Sequence, residues 1–310
     1  MRARDSIGSA RAFAARMVDR AAWYSGGAWQ RSRVSVRDAL ARAGVPIQRE
    51  FLELGCARGV DASGVFSEVT AVLGCLEHYE QRPAIYAGVH VDFRDDGLYY
   101  EPAAGPNWWE YYFEPVCVGS QASAVSRFVP PWQHDFFAEK TEREMSRPAA
   151  ASLMARHVRV KAVVHDQVER FWRAHLQDAF AIGIHYRGTD KSEETPLMPY
   201  DALVTAVRNA LPEASAGSWK ILVATDEQAF LDHMLNVFPG RVHFHQARRS
   251  VDGKPIHKTP GGGFQQGFEA VVDCLLLSRC ARLVRTASNL GLVAGYFNPA
   301  VPVTLVDQQS

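Results

Sequence analysis

The sequence lacks the patterns that mark several common classes of protein. Its cysteines are odd in number, far apart and never in a CxxC pair: Cys56, Cys75, Cys117, Cys274 and Cys280. We therefore expect neither a disulfide framework nor a structural zinc site. No apolar run reaches the length of about 18 residues that a membrane span needs, and no continuous apolar core follows the positive N-terminus. We expect no signal peptide, and these absences favour a cytoplasmic location.

The chain also lacks an excess of either charge, because 34 Lys+Arg balance 34 Asp+Glu. This balance argues against a protein that is held on nucleic acid by bulk electrostatics. Within the chain, residues 1–49 carry ten arginines against three aspartates. We expect this segment to be helical, and its charge fits either a solvated surface or contact with an anionic partner.

Length and composition indicate a globular chain of about two domains. The 310 residues are 47% hydrophobic and 22% charged, which is close to the average of folded proteins and excludes wholesale disorder. We divide the chain into a basic helical segment over 1–49, a first α/β domain over 50–178 and a second over 179–310.

The first domain begins with a βαβ pattern. A short strand over 51–54 is followed by small residues up to Gly64, then by apolar residues at helical spacing from Val65, then by a second strand over 85–93. Aromatic residues and prolines are concentrated over 99–137. Such a segment is typical both of a sugar-binding wall and of a packed core, and the sequence leaves both open.

The second domain predicts a five-stranded, doubly wound parallel sheet. Apolar strands alternate in the sequence with amphipathic helical patterns. The predicted strands cover 182–186, 220–224, 242–245, 283–286 and 301–306. The fold class is therefore α/β.

Polar residues cluster where these strands end, which is where open α/β sheets bind ligands. They are His185, Arg187, Thr189, Asp190 and Lys191 after the first strand, Thr225, Asp226 and Glu227 after the second, and Ser288 and Asn289 after the fourth. Arg187 offers a planar fork to a diphosphate, and Gly188 lets the backbone approach a ligand. Taken alone, this segment also fits a surface turn with an Arg–Asp pair.

Three further features carry two interpretations each. Ser288 opens a helix whose free N–H groups could seat a phosphate, or it is only an N-cap. Asp273, a lone carboxylate in an apolar helix, needs a donor, either an arginine of the fold or the adjacent N–H groups of guanine. Gly64 could cradle a phosphate, although no complete phosphate-binding glycine motif is present. Because no ligand spacing supports one, we expect no metal.

Four segments together resemble a known family. Residues 182–191, from Ile182 to Lys191, are similar to the H-x-R-R-T-D-K signature of the α1,6-fucosyltransferases, including the rhizobial nodulation fucosyltransferases. Residues 223–227 resemble the A-T-D-D motif of that family, and 267–289 resemble its third region. Residues 64–67 resemble its N-terminal turn. Protein O-fucosyltransferases and α1,2-fucosyltransferases are more distantly similar.

This resemblance implies a GT-B fold, in which two Rossmann-like domains face a cleft. The first domain would hold the acceptor and the second the nucleotide sugar. The reaction it implies is inverting, metal-independent transfer of fucose from GDP-fucose to a hydroxyl of a glycan or glycoconjugate. GDP-fucose is then a substrate, and no cofactor is expected.

The resemblance also implies roles for single residues. Arg187 would hold the β-phosphate, and Ser288 at its helix start, beside Asn289, would meet phosphate. His185 and Asp273 would bind guanine. Thr225 and Asp226 would line the nucleotide pocket.

Two departures from the family pattern affect the catalytic assignment. Gly188 replaces the second arginine of the signature, so one positive contact is missing. The acidic residue after Lys191 is out of register, which leaves Glu193 and Glu194 as alternative general bases, oriented by Lys191. A different nucleotide sugar, or a non-catalytic nucleotide- or carbohydrate-binding protein, remain alternative functions.

Overall fold

The structure is a computed structural model that describes residues 34–55, 64–94, 97–129, 145–189, 197–211, 218–251, 253 and 262–307. These residues form two compact units. The described part of the first unit comprises 34–55, 71–91 and 117–129. The second unit contains 64–70, 92–94, 97–116 and the described residues from 145 onward.

The first unit is built on a mixed four-stranded sheet. Its strands are β1 (Glu50–Leu54), β2 (Tyr86–Val91), β3 (Cys117–Gly119) and β4 (Val125–Val129), in the order β3-β2-β1-β4. Strand β1 runs parallel to both β2 and β4, and β3 is antiparallel to β2. Helix α1 (Val65–Gln81) connects β1 to β2, which confirms the βαβ pattern. Residues 34–42 are also helical.

Strands β3 and β4 were not predicted from the sequence. They are three and five residues long, and most of their side chains are exposed or half-buried. Without a buried face, a strand has no apolar alternation to detect.

The second unit contains the predicted parallel sheet. Its strands are β5 (Phe180–Tyr186), β6 (Trp219–Thr225), β7 (Val242–His243), β8 (Arg282–Arg285) and β9 (Val303–Leu305). The order is β7-β6-β5-β8-β9, and all neighbouring pairs are parallel. The predicted α/β, doubly wound topology of this unit is confirmed. Strand β7 is shorter than predicted, so His245 lies beyond its end.

Helices alternate with these strands along the chain. They are α2 (Arg147–His157), α3 (Ala162–His175), α4 (Tyr200–Asn209), α5 (Gln228–Val237), α6 (Gly263–Ser278) and α7 (Asn289–Phe297). Helix α2 packs on α7 and α3 packs on α6, so both belong to the second unit. The predicted boundary at 178/179 therefore falls inside this unit, because the apolar face of α3 is buried by a helix that comes a hundred residues later. Among the described residues, no helix is long and apolar enough to span a bilayer.

The aromatic segment forms core in its described part. Trp108, Trp109 and Phe113 are fully buried, and the ring of Trp108 stacks on Phe93 with centroids 4.7 Å apart. The Tyr112 hydroxyl donates to the carbonyl of Phe264 at 2.9 Å, in the first turn of α6. For these side chains, packing is the interpretation that the structure supports.

We expect the interface between β5 and α6 to be intolerant of added volume. A Cβ at Gly183 would lie 2.9 Å from Leu277 Cδ2 and 3.1 Å from Cys280 Sγ. Gly183→Ala should therefore lower the free energy of unfolding by about 1–3 kcal/mol, measured by urea denaturation. The control is Gly295→Ala in α7, where a Cβ would mainly displace the flexible Arg147 side chain. Equal stability of both variants would contradict this packing argument.

Candidate functional site

The order of the second sheet reverses between β5 and β8. These two strands are hydrogen-bonded neighbours, although three helices and two strands separate them in the chain. At such a switch point the loops at the carboxyl ends diverge and leave a crevice, where open α/β sheets bind ligands. His185 of β5 and Arg285 of β8 lie side by side at this edge.

The loop after β5 is held from both neighbouring strands. On one side, Asp226 accepts from the backbone N–H of Gly188 at 3.0 Å and from the Thr189 hydroxyl at 2.7 Å, with a different carboxylate oxygen for each. On the other side, the N–H of Arg187 donates to Thr286 Oγ1 at 3.4 Å. The backbone that carries the Arg187 guanidinium is therefore restrained by β6 and by the residue after β8.

His185 contacts the start of the helix that follows β8. Its Nδ1 lies 2.9 Å from Ser288 Oγ, and the same oxygen caps α7 by accepting from Gly291 N–H at 3.2 Å. Burial, together with the positive charges of Arg187 and Arg285, lowers the pKa of His185 to about 3. The imidazole is therefore neutral at physiological pH and can act as a hydrogen-bonding group without charge.

Two helix starts meet beside this histidine. The Asn289 side-chain amide, at the first position of α7, donates to Ser67 Oγ in the first turn of α1 at 2.8 Å. Gly64 immediately precedes α1, and the next N–H, that of Val65, donates to the Tyr99 hydroxyl at 3.2 Å. The positive ends of two helix dipoles therefore point into the same region, which favours an anion.

A side chain at position 188 would have to displace its neighbours. A Cβ there would lie 2.3 Å from Glu227 Oε2 and 2.8 Å from Tyr186 Cε1. Thr225, which precedes this region on β6, accepts from the N–H of Glu227 at 3.2 Å through its hydroxyl oxygen. Asp226 thus shapes the loop that carries Arg187, and Thr225 shapes the turn after β6.

Asp273 has a partner that the sequence analysis did not name. Its Oδ1 lies 3.4 Å from Nδ1 of His245, in the loop after β7. Burial raises the pKa of Asp273, while the neighbouring His245 and Arg249 counteract part of that shift. The next residue, Cys274, contacts the Leu290 carbonyl in α7. The carboxylate is thus paired with His245, whereas His185 is paired with Ser288.

The expected catalytic residues other than Arg187 lie outside the described residues. These are Lys191, Glu193 and Glu194. Within the described ranges, no group of three or more His, Cys, Asp or Glu side chains is arranged to hold a metal ion.

Two residues of this region were not singled out from the sequence. Arg285 is the last residue of β8 and only 7% exposed, and Thr286 follows it. The strand pattern contained a signal, because Arg285 lies two positions after Leu283 and therefore on the same face of the strand. A charged side chain on a buried face needs a partner or a ligand. The predicted strand over 283–286 contained both residues, with no separate role for either.

Comparison with known proteins places this site in a family context. The profile of the Nodulation protein Z (NodZ) family matches residues 142–297, half of the chain. Nodulation protein Z of Sinorhizobium fredii is 24% identical over 201 residues, which cover 58% of this chain and 61% of that protein. The match thus spans less than two thirds of this relative's length.

Solved structures show the same fold. NodZ α-1,6-fucosyltransferase soaked with GDP-fucose superposes with a TM-score of 0.57 at 17% identity, covering 85% of this chain and 96% of that one. Fucosyltransferase NodZ from Bradyrhizobium gives a TM-score of 0.55 at 17% identity, covering 82% and 94%. The expected GT-B type of fold is confirmed by these similarities.

The buried, neutral His185 predicts a pH dependence of stability. Its pKa is about 3 in the folded protein and about 6.5 when unfolded, so between these values the unfolded chain binds more protons and stability falls as pH falls. In urea denaturation from pH 6.5 to 4.5, we expect the free energy of unfolding of the wild type to fall with pH. The slope for His185→Gln should be smaller by up to about 1.4 kcal/mol per pH unit. His165→Gln, on the exposed face of α3, is the matched control and should leave the slope unchanged. Identical slopes for the wild type and His185→Gln would contradict the argument.

Proposed function

The chain belongs to the Nodulation protein Z (NodZ) family, and from that membership we propose that it is an inverting glycosyltransferase. The proposed reaction moves fucose from GDP-fucose to a hydroxyl of a glycan or glycoconjugate. The observation that carries the proposal is the arrangement at the switch point. There a restrained arginine loop, a neutral histidine and the starts of two helices surround one region of unit two.

This arrangement suits the diphosphate of a nucleotide sugar. A guanidinium donates two parallel hydrogen bonds to phosphate oxygens, and backbone N–H groups at a helix start donate further ones. The loop of Arg187 is held by Asp226 and Thr286, so the backbone that carries the cation is fixed before the ligand arrives. His185 adds a hydrogen-bonding group that is uncharged at physiological pH.

In the proposed step, the acceptor hydroxyl oxygen attacks the anomeric carbon from the face opposite GDP. The bond between that carbon and the β-phosphate oxygen breaks, and its electron pair leaves with GDP. Arg187, Lys191 and the amides at the Ser288 helix start stabilise the charge that grows on the leaving diphosphate. Each such preorganised donor contributes about 10²–10³-fold to the rate, so the step is proposed to proceed without a metal.

The hydroxyl proton needs an acceptor. We assign this role to Glu193 or Glu194, with Lys191 as the orienting cation, from their place after the Arg187 motif in the sequence. Asp273 is assigned to the guanine edge, whose adjacent N–H donors suit a buried carboxylate. Its pairing with His245 would orient the carboxylate for that contact.

A second candidate function keeps the fold but uses another nucleotide sugar, or binds a nucleotide or carbohydrate without catalysis. The pairing of Asp273 with His245 already satisfies part of the carboxylate without guanine, which favours a site for a different base. Gly188, where the family signature has a second arginine, favours binding without turnover.

A cytoplasmic location remains a prediction, and the described cysteines, Cys75, Cys117, Cys274 and Cys280, are free thiols.

A nucleotide panel tests the proposal. Calorimetry of the full chain in EDTA should show binding of GDP at least about tenfold tighter than of UDP or ADP, because only guanine offers paired donors to Asp273. Arg187→Ala should weaken GDP binding by about 10- to 100-fold, since a charged hydrogen bond is lost. Asp273→Asn should instead reduce the preference for GDP. Binding of all three nucleotides with equal affinity by the wild type would count against a GDP-sugar.

The choice of base is tested by two isosteric variants. Glu193→Gln and Glu194→Gln should differ by about 10²-fold or more in the rate of fucose transfer to a glycan acceptor, because only one of them accepts the proton. GDP affinity should be retained in both. Full activity in both variants would exclude both carboxylates as the base.

A further inference from the structure

Arg285 is a buried cation at the carboxyl edge of β8. It is the strand partner of His185 in the parallel pair β5–β8, so both side chains emerge on the same face of the sheet. Its aliphatic stem lies against α7: a Cβ built on Gly291 would be 3.0 Å from Arg285 Cδ and 3.4 Å from His185 Nδ1. The glycine in the first turn of α7 thus makes room for both side chains beneath the helix start.

The charge of Arg285 reaches the same region as that of Arg187. Both positive charges act on His185 and lower its pKa. A cation near the N-terminal end of a helix is unfavourable with respect to the helix dipole, and two like charges near each other add to that cost. A multiply charged anion bound at this helix start would interact favourably with both guanidinium groups and with the helix dipole.

Position 188 cannot supply this second cation. The space in which its side chain would begin is filled by the carboxylate of Glu227 and the ring of Tyr186. The Tyr186 ring is stacked on Phe230, with centroids 4.4 Å apart, and its surroundings are core. An arginine at 188 would require both neighbours to move.

We propose that Arg285 provides the second guanidinium contact to the diphosphate of the nucleotide sugar, in place of the arginine that is absent at position 188. Arg187 and Arg285 then approach the diphosphate from the ends of the adjacent strands β5 and β8, near the neutral His185. This assignment rests on the proposed function, because it takes a nucleoside diphosphate as the ligand. It explains how a chain with glycine at 188 retains two guanidinium contacts.

Calorimetry with matched variants tests this assignment. Arg285→Gln should weaken the binding of GDP and of inorganic pyrophosphate by about 10- to 100-fold, while binding of guanosine changes by less than about threefold. The control is Arg282→Gln, at the exposed amino end of the same strand, which should bind all three ligands as the wild type does. The GDP affinity of Arg285→Lys should lie between those of Arg285→Gln and the wild type, because lysine keeps the charge and loses the bidentate fork.

The outcomes separate this assignment from the proposed function. Wild-type GDP affinity in Arg285→Gln, or an equal loss of GDP and guanosine binding, would overturn the role of Arg285 and leave the function standing. If Arg285→Gln does not fold, as judged by circular dichroism, the comparison passes to Arg285→Lys, and unchanged GDP affinity there would overturn the role. A wild-type chain that binds pyrophosphate through Arg285 but has no preference for GDP would support the assignment and refute the GDP-sugar.

Discussion

The pairing of β5 with β8 is the constraint on which the candidate site depends. It brings together the end of β5, with His185 and Arg187, and the residues from Arg285 to Ser288, a hundred positions later. The hydrogen bond between Thr286 Oγ1 and the N–H of Arg187 exists only because these parallel strands end at the same edge. A register shift of one residue would place His185 and Arg285 on opposite faces and separate the cations from the helix start.

The protonation state of His185 at this edge depends on burial more than on the neighbouring charges. His185 is forced into its neutral form by desolvation and by two neighbouring cations. Asp226 uses both carboxylate oxygens on the Arg187 loop, one on the backbone N–H of Gly188 and one on the hydroxyl of Thr189. Its charge-assisted hydrogen bonds thus set the loop conformation. The region as a whole combines positive helix ends with guanidinium groups, which is a consistent environment for a diphosphate.

Glycines decide how closely these groups approach. Gly291 admits the side chains of His185 and Arg285 under the first turn of α7, and Gly188 leaves space that Glu227 occupies. A side chain at position 188 would meet the Glu227 carboxylate and the Tyr186 ring. The proposal therefore takes the second guanidinium from the neighbouring strand β8.

The sequence by itself determined the family and the parallel sheet of the second unit, and it located Arg187 and Ser288 after two strands of that sheet, because periodicity and motif spacing are local properties of the chain. It did not determine the edge strands β3 and β4, whose exposed side chains carry no apolar pattern, or the partner of Asp273. The aromatic segment could be assigned to core only once Trp108 and Trp109 had packing neighbours. The role of Arg285 likewise needed tertiary structure, since a strand register and the space beside a glycine arise from contacts between residues far apart in the chain.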